Sequence, residues 1–228
     1  MIVGILQPGY LPWLGFFEQM YRSDVFVMYD DVQYDKHGWR NRNRIKSPNG
    51  VQWLTVPVLI KGQGKPEIRD VRINKAERWQ KKHIRTIEQN YRKAPFYGEY
   101  FGDIEAILSK SWDFLIDLDV AMIDLLGGRL GLQREVLFSS DLKITGDRVE
   151  RLVKICQSVN GTTFYEGESG KNYIDEGLFA SAGIKVVYQQ YKHPVYPQLY
   201  GEFVPYLSAI DLLFNCGDKS LDIILGKN

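Results

Sequence analysis

The most constraining feature of the sequence is the return of a short apolar run on either side of one helical stretch. Ile2-Val3-Gly4-Ile5-Leu6 carries no charge and stops at Gln7-Pro8-Gly9. From Trp13 to Tyr21 apolar side chains recur at helical spacing, and Val25-Phe26-Val27-Met28-Tyr29 forms a second run that ends at Asp30-Asp31. Runs without polar alternation are strands buried on both faces, and two of them around a helix make a βαβ unit. Such units hold ligands at the carboxyl ends of their strands. Both ends here are polar: Gln7 and Tyr10 follow the first strand, and Asp30, Asp31, Gln33 and Tyr34 follow the second.

The same rhythm returns late in the chain. A strand is expected at 135–138, a helix over 147–159, a strand at 162–165, a helix over 172–182 closed by Gly183, and a strand at 184–188. Between the two parts, the turn Ser47-Pro48-Asn49-Gly50 sets a hairpin between 42–46 and 52–58. Lys61-Gly62-Gln63-Gly64-Lys65-Pro66 has no periodicity and reads as a mobile loop; its lysines either meet an anion or are simply solvated. Three helical patterns follow, the first from Asn74 with a row of Lys and Arg, the second from Phe96, and the third from about Trp112 to Leu126, ended by Gly127-Gly128. The basic row is either a solvated face or a wall toward a phosphate. The fold expected is a single α/β domain over 1–228 with a doubly wound, largely parallel, Rossmann-like sheet and a helical insertion at 74–130.

Composition excludes several classes of function. With 29 Lys and Arg against 28 Asp and Glu, the chain lacks the excess of cations that gripping a nucleic-acid backbone requires. No apolar run approaches the roughly 20 residues of a membrane span, and no basic leader precedes Ile2. A cytoplasmic protein is expected. Cys156 and Cys216 lack metal-ligand spacing and read as small buried residues of a reducing compartment, so no metal is assigned. Fourteen Tyr and five Trp exceed the needs of a core, which places rings along a groove.

Four stretches carry chemistry. Asp30-Asp31, at a strand end, serves as a general base, an amine-orienting pair or a divalent-metal site, or else as a turn or cap pair. In Trp39-Arg40-Asn41-Arg42-Asn43-Arg44, a strand would put Arg40, Arg42 and Arg44 on one face, matched to a diphosphate, and Trp39, Asn41 and Asn43 on the other. A charged edge strand is the alternative. Gly167-x-Ser169-Gly170-Lys171 offers amides, a hydroxyl and an ammonium at an expected helix start, without the spacing of a P-loop. Near the C-terminus, His193 is a candidate base beside Pro194, Gln198 a polar candidate, and Ser208, Asp211 and Asn215 share one helical face either toward a ligand or as an inward tether. No Ser-His-Asp order, nucleophile elbow or zinc signature is present.

Gln7-Pro8-Gly9-Tyr10-Leu11-Pro12-Trp13-Leu14-Gly15-Phe16-Phe17, Asp30-Asp31-Val32-Gln33-Tyr34, the Trp39-to-Arg44 run, Tyr196-Pro197-Gln198 and Leu207-Ser208-Ala209-Ile210-Asp211 together resemble the WbqC-like family. Members of that family occur in O-antigen and related lipopolysaccharide gene clusters. The resemblance implies transfer of glycine or another amino acid to the amino group of a nucleotide-linked or lipid-linked sugar. Asp30 or Asp31 would take the proton and Tyr10, Trp13 or Trp39 would stack on base or sugar. The acyl group would come either by ATP activation or from a carrier, an aminoacyl-tRNA being the one nucleic-acid partner expected. Placing Gln7-Pro8 and Tyr10 between first strand and first helix is also similar to nucleotidylyltransferases, although their His-x-Gly-His signature is absent. A nucleotidyl transferase and a non-catalytic nucleotide-sugar-binding protein are the alternatives.

Overall fold

β1 is hydrogen-bonded along both edges, which makes it the centre of the sheet: Val3 lies opposite Val25 on one side and opposite Phe164 on the other. The computed structural model describes residues 1–60, 62 and 64–227. In chain order these form β1 (Ile2–Leu6), α1 (Leu14–Arg22), β2 (Val25–Met28), β3 (Arg42–Ser47), β4 (Gly50–Thr55), β5 (Val58–Leu59) and β6 (Arg72–Ile73). Three helices follow, α2 (Trp79–Tyr91), α3 (Tyr97–Leu108) and α4 (Leu115–Arg129). The chain then continues through β7 (Glu135–Phe138), α5 (Ser139–Leu142), α6 (Arg148–Ser158), β8 (Thr163–Glu166), α7 (Glu176–Ser181), β9 (Lys185–Tyr188), α8 (Ala209–Cys216) and α9 (Ser220–Ile224).

The chain divides into two compact units. The first comprises Met1–Gln7, Gly15–Asp31 and Leu132–Lys192. Its sheet runs β7-β2-β1-β8-β9 with every neighbouring pair parallel, the Rossmann-like α/β architecture expected. The inner strands β1 and β2 are short and wholly apolar, as burial on both faces requires, while β7, β8 and β9 also carry polar residues. On α6, Leu152, Val153, Ile155 and Cys156 are buried at helical spacing, and Asp147 caps the helix by accepting from the amides of Val149 (3.0 Å) and Glu150 (2.9 Å). Phe164 of β8 stacks on Phe179 of α7 with ring centroids 5.0 Å apart, both fully buried. Each such ring contributes about 1.5–3 kcal/mol by leaving water. The buried polar residues of α1 are tied to the far strands: Gln19 donates to the Tyr165 carbonyl at 2.8 Å, and Glu18 accepts from the Tyr165 hydroxyl (3.1 Å) and the Gln189 amide (2.6 Å).

The second unit comprises Pro8–Leu14, Val32–Gly131 and His193–Asn228. The expected hairpin forms around Pro48-Asn49, with Ser47 opposite Gly50, but its second strand ends at Thr55 instead of 58, and Val58 pairs with Ile73 in a separate two-stranded sheet. Residues 74–130 supply three helices, but the first begins at Trp79 rather than Asn74, whose side chain accepts the Ala76 amide in the preceding turn. Likewise α4 runs through Gly127 and Gly128 to Arg129. The apolar stretch from Phe203 does not become helical until Ala209, where Ser208 caps α8. Of the expected loop at 61–66, residues 61 and 63 lie outside the described residues. Among the described residues no helix is long and apolar enough to cross a membrane.

The tightness of the sheet centre gives a direct test. A Cβ on Gly4 would stand 2.3 Å from Ser23 Oγ and 3.1 Å from the Phe26 ring. Gly4→Ala therefore lowers the urea midpoint by an amount equivalent to about 1–3 kcal/mol, and adding Ser23→Ala recovers part of it. Wild-type stability in the single variant would contradict the close packing of β1.

Candidate functional site

In a parallel sheet whose strand order reverses beside β1, chemistry gathers at the carboxyl edge between β1 and the strand on the far side of the reversal, here β8. Gln7 follows β1 at that edge, Tyr29, Asp30 and Asp31 follow β2, Ser139 and Ser140 follow β7, and Glu166 closes β8.

Asp30 and Asp31 are already engaged. Ser139 Oγ lies 3.0 Å from Asp30 Oδ1 and 2.5 Å from Asp31 Oδ1, between the two carboxylates. Ser140 donates its amide to Asp30 Oδ1 (3.0 Å) and its hydroxyl to Asp30 Oδ2 (2.6 Å). Arg151 from α6 pairs with the Asp31 carboxylate, donates to the Asp31 carbonyl at 3.0 Å, and lies over the Tyr29 ring at 5.1 Å. The result is a closed acid, hydroxyl and guanidinium network, within which the serine hydroxyls are the groups free to rotate.

Glu166 is the carboxyl the sequence reading did not single out. It is buried; Tyr173 donates to it at 3.0 Å, and the Arg148 guanidinium lies 3.6 Å from the Tyr173 ring centre. Burial pushes its pKa up to about 7, against the opposing pull of the Tyr173 hydrogen bond, the Gly167 amide and the Arg148 charge. The turn that follows packs directly on it: a Cβ at Gly170 would stand 2.3 Å from Glu166 Cγ, so only glycine fits there. The available signal was an acid ending a buried strand run just before a glycine.

Ser169 and Lys171 lie in this turn, which is a 3-10 turn over Glu168–Asn172 and not the start of an α-helix. The next helix begins at Glu176 and is capped by the Asp175 carboxylate, so a side chain of the protein occupies its amino end. Ser169 is exposed; Lys171 pairs with Glu168 at 3.4 Å and lies 5.7 Å from the Tyr188 ring.

The remaining nominated residues belong to the second unit. Arg42 and Arg44 share the open face of β3, as alternation requires, and both lie over Trp53 of β4, at 4.9 and 5.8 Å. Trp39 joins that face instead of the opposite one: it stacks on Trp53 with centroids 5.3 Å apart and lies 5.3 Å from the Arg44 guanidinium. It precedes the strand, so strand alternation does not govern it. Asn41 and Asn43 point inward, Asn41 donating to the Val56 carbonyl and Asn43 to that of Leu11, both at 2.7 Å. Arg40 also lies before the strand and senses the charge of Asp119 on α4. Tyr10 is fully buried with its hydroxyl 2.9 Å from His83 Nδ1; Trp13 bridges to Ser208 and lies 5.8 Å from the Tyr206 ring. Gln33 is exposed and bridges to Glu67.

Asp211 is a buried hub: the Tyr91 hydroxyl (2.7 Å), the Tyr196 hydroxyl (2.8 Å) and the Gln198 amide (2.8 Å) all donate to its carboxylate. Asn215 donates to its carbonyl at 2.7 Å, so the face shared with Ser208 turns inward. Both His193 nitrogens are in use, Nδ1 at 2.8 Å from the Pro194 carbonyl and Nε2 accepting the Tyr206 amide at 3.0 Å, and burial lowers its pKa. Cys156 and Cys216 are buried free thiols.

The profile of the WbqC-like protein family matches residues 7–223. The chain is 37% identical over 224 residues to the uncharacterized protein Rv1507c of Mycobacterium tuberculosis (strain ATCC 25618 / H37Rv), covering 97% of this chain and 96% of that protein. No solved structure matches.

The raised Glu166 pKa fixes a sign for stability. The folded state holds this proton more tightly than the unfolded chain, so the contribution is full below about 4.5 and is lost as pH rises through about 7. Glu166→Gln should therefore match the wild type in denaturant midpoint near pH 4.5 and exceed it at pH 8, by up to about 3 kcal/mol. Equal midpoints at pH 8 would show that the carboxyl is not desolvated.

Proposed function

Because the chain belongs to the WbqC-like protein family, we propose that it transfers an amino-acyl group, glycine or a related amino acid, to the amine of a nucleotide-linked or lipid-linked amino sugar in the synthesis of O-antigen or a related surface polysaccharide. The observation that carries the reading is Glu166: a buried carboxyl with a pKa of about 7, at the carboxyl edge of a parallel sheet beside the central strand. A base tuned near neutral pH is what deprotonation of an attacking amine needs. The amine nitrogen attacks the acyl carbonyl carbon and the new C–N bond forms. The bond to the donor's activating group breaks, that group leaves with the electron pair, and the amine proton passes to Glu166. Tyr173, which donates to Glu166, holds the carboxyl in place.

In this reading the base role moves from Asp30 or Asp31 to Glu166, because the aspartate oxygens are held by Ser139, Ser140 and Arg151. Within the second unit taken by itself, stacked Trp39 and Trp53 lie beneath Arg42 and Arg44, groups suited to a sugar ring and a diphosphate. The acyl donor is either an ATP-activated amino acid or a carrier-bound acyl group.

One observation favours a second reading. An acid pair whose oxygens are already engaged by the protein also suits a nucleotide-sugar-binding protein without turnover. Incubation with nucleotide-linked amino sugars, glycine and either donor separates the two. A glycyl mass increment on the sugar, formed at a rate that climbs with pH through about 7, is expected for the transferase. Glu166→Gln should slow it about 10²–10⁴-fold with little change in KM and abolish the pH-dependent limb. Sugar binding without product from any donor would establish the second reading; a wild-type rate in Glu166→Gln would remove the base.

A further inference from the structure

We propose that the cavity between β4 and the start of α2 binds a phosphorylated sugar, with Arg78 and Lys82 on its phosphoryl group and Gln52, Thr55 and Thr86 on its hydroxyls. The cavity measures about 350 Å³ and lies wholly within the second unit. One wall is β4 from Gln52 to Thr55, and the other runs from Glu77 into the first turns of α2. Ligand sites span about 300–1,000 Å³, so this one has room for a single ring with its substituent and not for an extended chain.

The charges on the lining set the class of ligand. Arg78 precedes α2 and Lys82 lies one turn further on; both are exposed, and neither makes an ion pair or hydrogen bond among the described residues. Elsewhere in the same basic row a cation is matched, as Lys75 is by Asp113. Glu77 is the acid among the described lining residues, and its carboxylate already accepts from Asn74 at 3.2 Å. His83 adds no charge: burial lowers its pKa to about 4, and its Nδ1 lies 2.9 Å from the Tyr10 hydroxyl. Like charges four positions apart repel, and a phosphate ester, which carries close to two negative charges at neutral pH, neutralises both. A carboxylate pairs with only one.

The rest of the lining suits hydroxyl groups. Gln52 gives its side-chain oxygen to Asn90 at 3.1 Å and keeps its amide hydrogens, while the Thr55 and Thr86 hydroxyls can donate or accept. Trp53, 46% exposed, and Trp79 add ring surface for the C–H face of a sugar. A free sugar phosphate and a nucleotide sugar both present a phosphoryl group beside such a ring.

This inference rests on neither Glu166 nor acyl transfer. Isothermal titration with glucose 1-phosphate, glucose, inorganic phosphate and UDP-glucose, without an acyl donor, tests it. Glucose 1-phosphate should bind at least about tenfold more tightly than glucose, and inorganic phosphate should compete with it. Arg78→Gln and Lys82→Gln should each weaken glucose 1-phosphate at least about tenfold. Lys81→Gln, next to Lys82 in the chain but outside the cavity lining, should change it less than about twofold. Melting curves confirm that each variant is folded. UDP-glucose binding more tightly than glucose 1-phosphate identifies a nucleotide sugar as the source of the phosphoryl group, and weaker binding identifies the free sugar phosphate. Failure of both phosphorylated sugars to bind, glucose binding as tightly as either, or equal losses in Lys81→Gln and Lys82→Gln would overturn the site and leave a solvated basic face. A glycyl product formed by Arg78→Gln and Lys82→Gln at the wild-type rate and KM would keep the transfer reaction and remove this site from it.

Discussion

The hydrogen bonding of β1 along both edges is the constraint on which the first unit depends. A strand with neighbours on each side and helices over both faces admits no charge, which is why Ile2 to Leu6 is apolar throughout. With all five strands parallel, every strand ends on one edge, and the polar residues excluded from the interior are delivered there together. Asp30 and Ser139 meet because of sheet order, although they lie 109 positions apart in the chain, whereas Tyr173 reaches Glu166 from the turn that directly follows β8.

The three acids at that edge differ in the partners the fold supplies. Asp30 receives hydrogen bonds from Ser139 and Ser140, and Asp31 receives an ion pair from Arg151. Glu166 is buried with weaker compensation, and desolvation prevails, raising its pKa toward neutrality. The same contest operates in the second unit, where Asp211 is held by three donors and Asp119 by none among the described residues. Partner supply, more than burial alone, separates structural acids from those available for chemistry.

Much of this architecture was legible because apolar runs and helical periodicity record which faces leave water. The strands at 2–6, 25–28 and 135–138, the hairpin at Asn49-Gly50 and the three middle helices all follow from that record. Their boundaries were less legible: the capping chemistry of Asn74 serves a turn, and the apolar stretch after Phe203 stays non-helical until Ser208 supplies a cap. The site was legible in part. Asp30 and Asp31 are conspicuous at a strand end, and Arg42 and Arg44 share a face as alternation requires. Trp39 fell on the other face because it lies outside the strand. Glu166 carries no local signature, since its character comes from what tertiary packing withholds from it.

The central claim is that folding leaves Glu166 able to exchange a proton at neutral pH. Its carboxyl carbon can be followed by NMR through a pH titration of the isotopically labelled protein, with Glu166→Gln identifying the resonance. A midpoint near 7 is expected. A midpoint at the ordinary glutamate value near 4.5 would contradict the account, because a carboxylate that is solvated and fully ionised at neutral pH has no special claim on the amine proton.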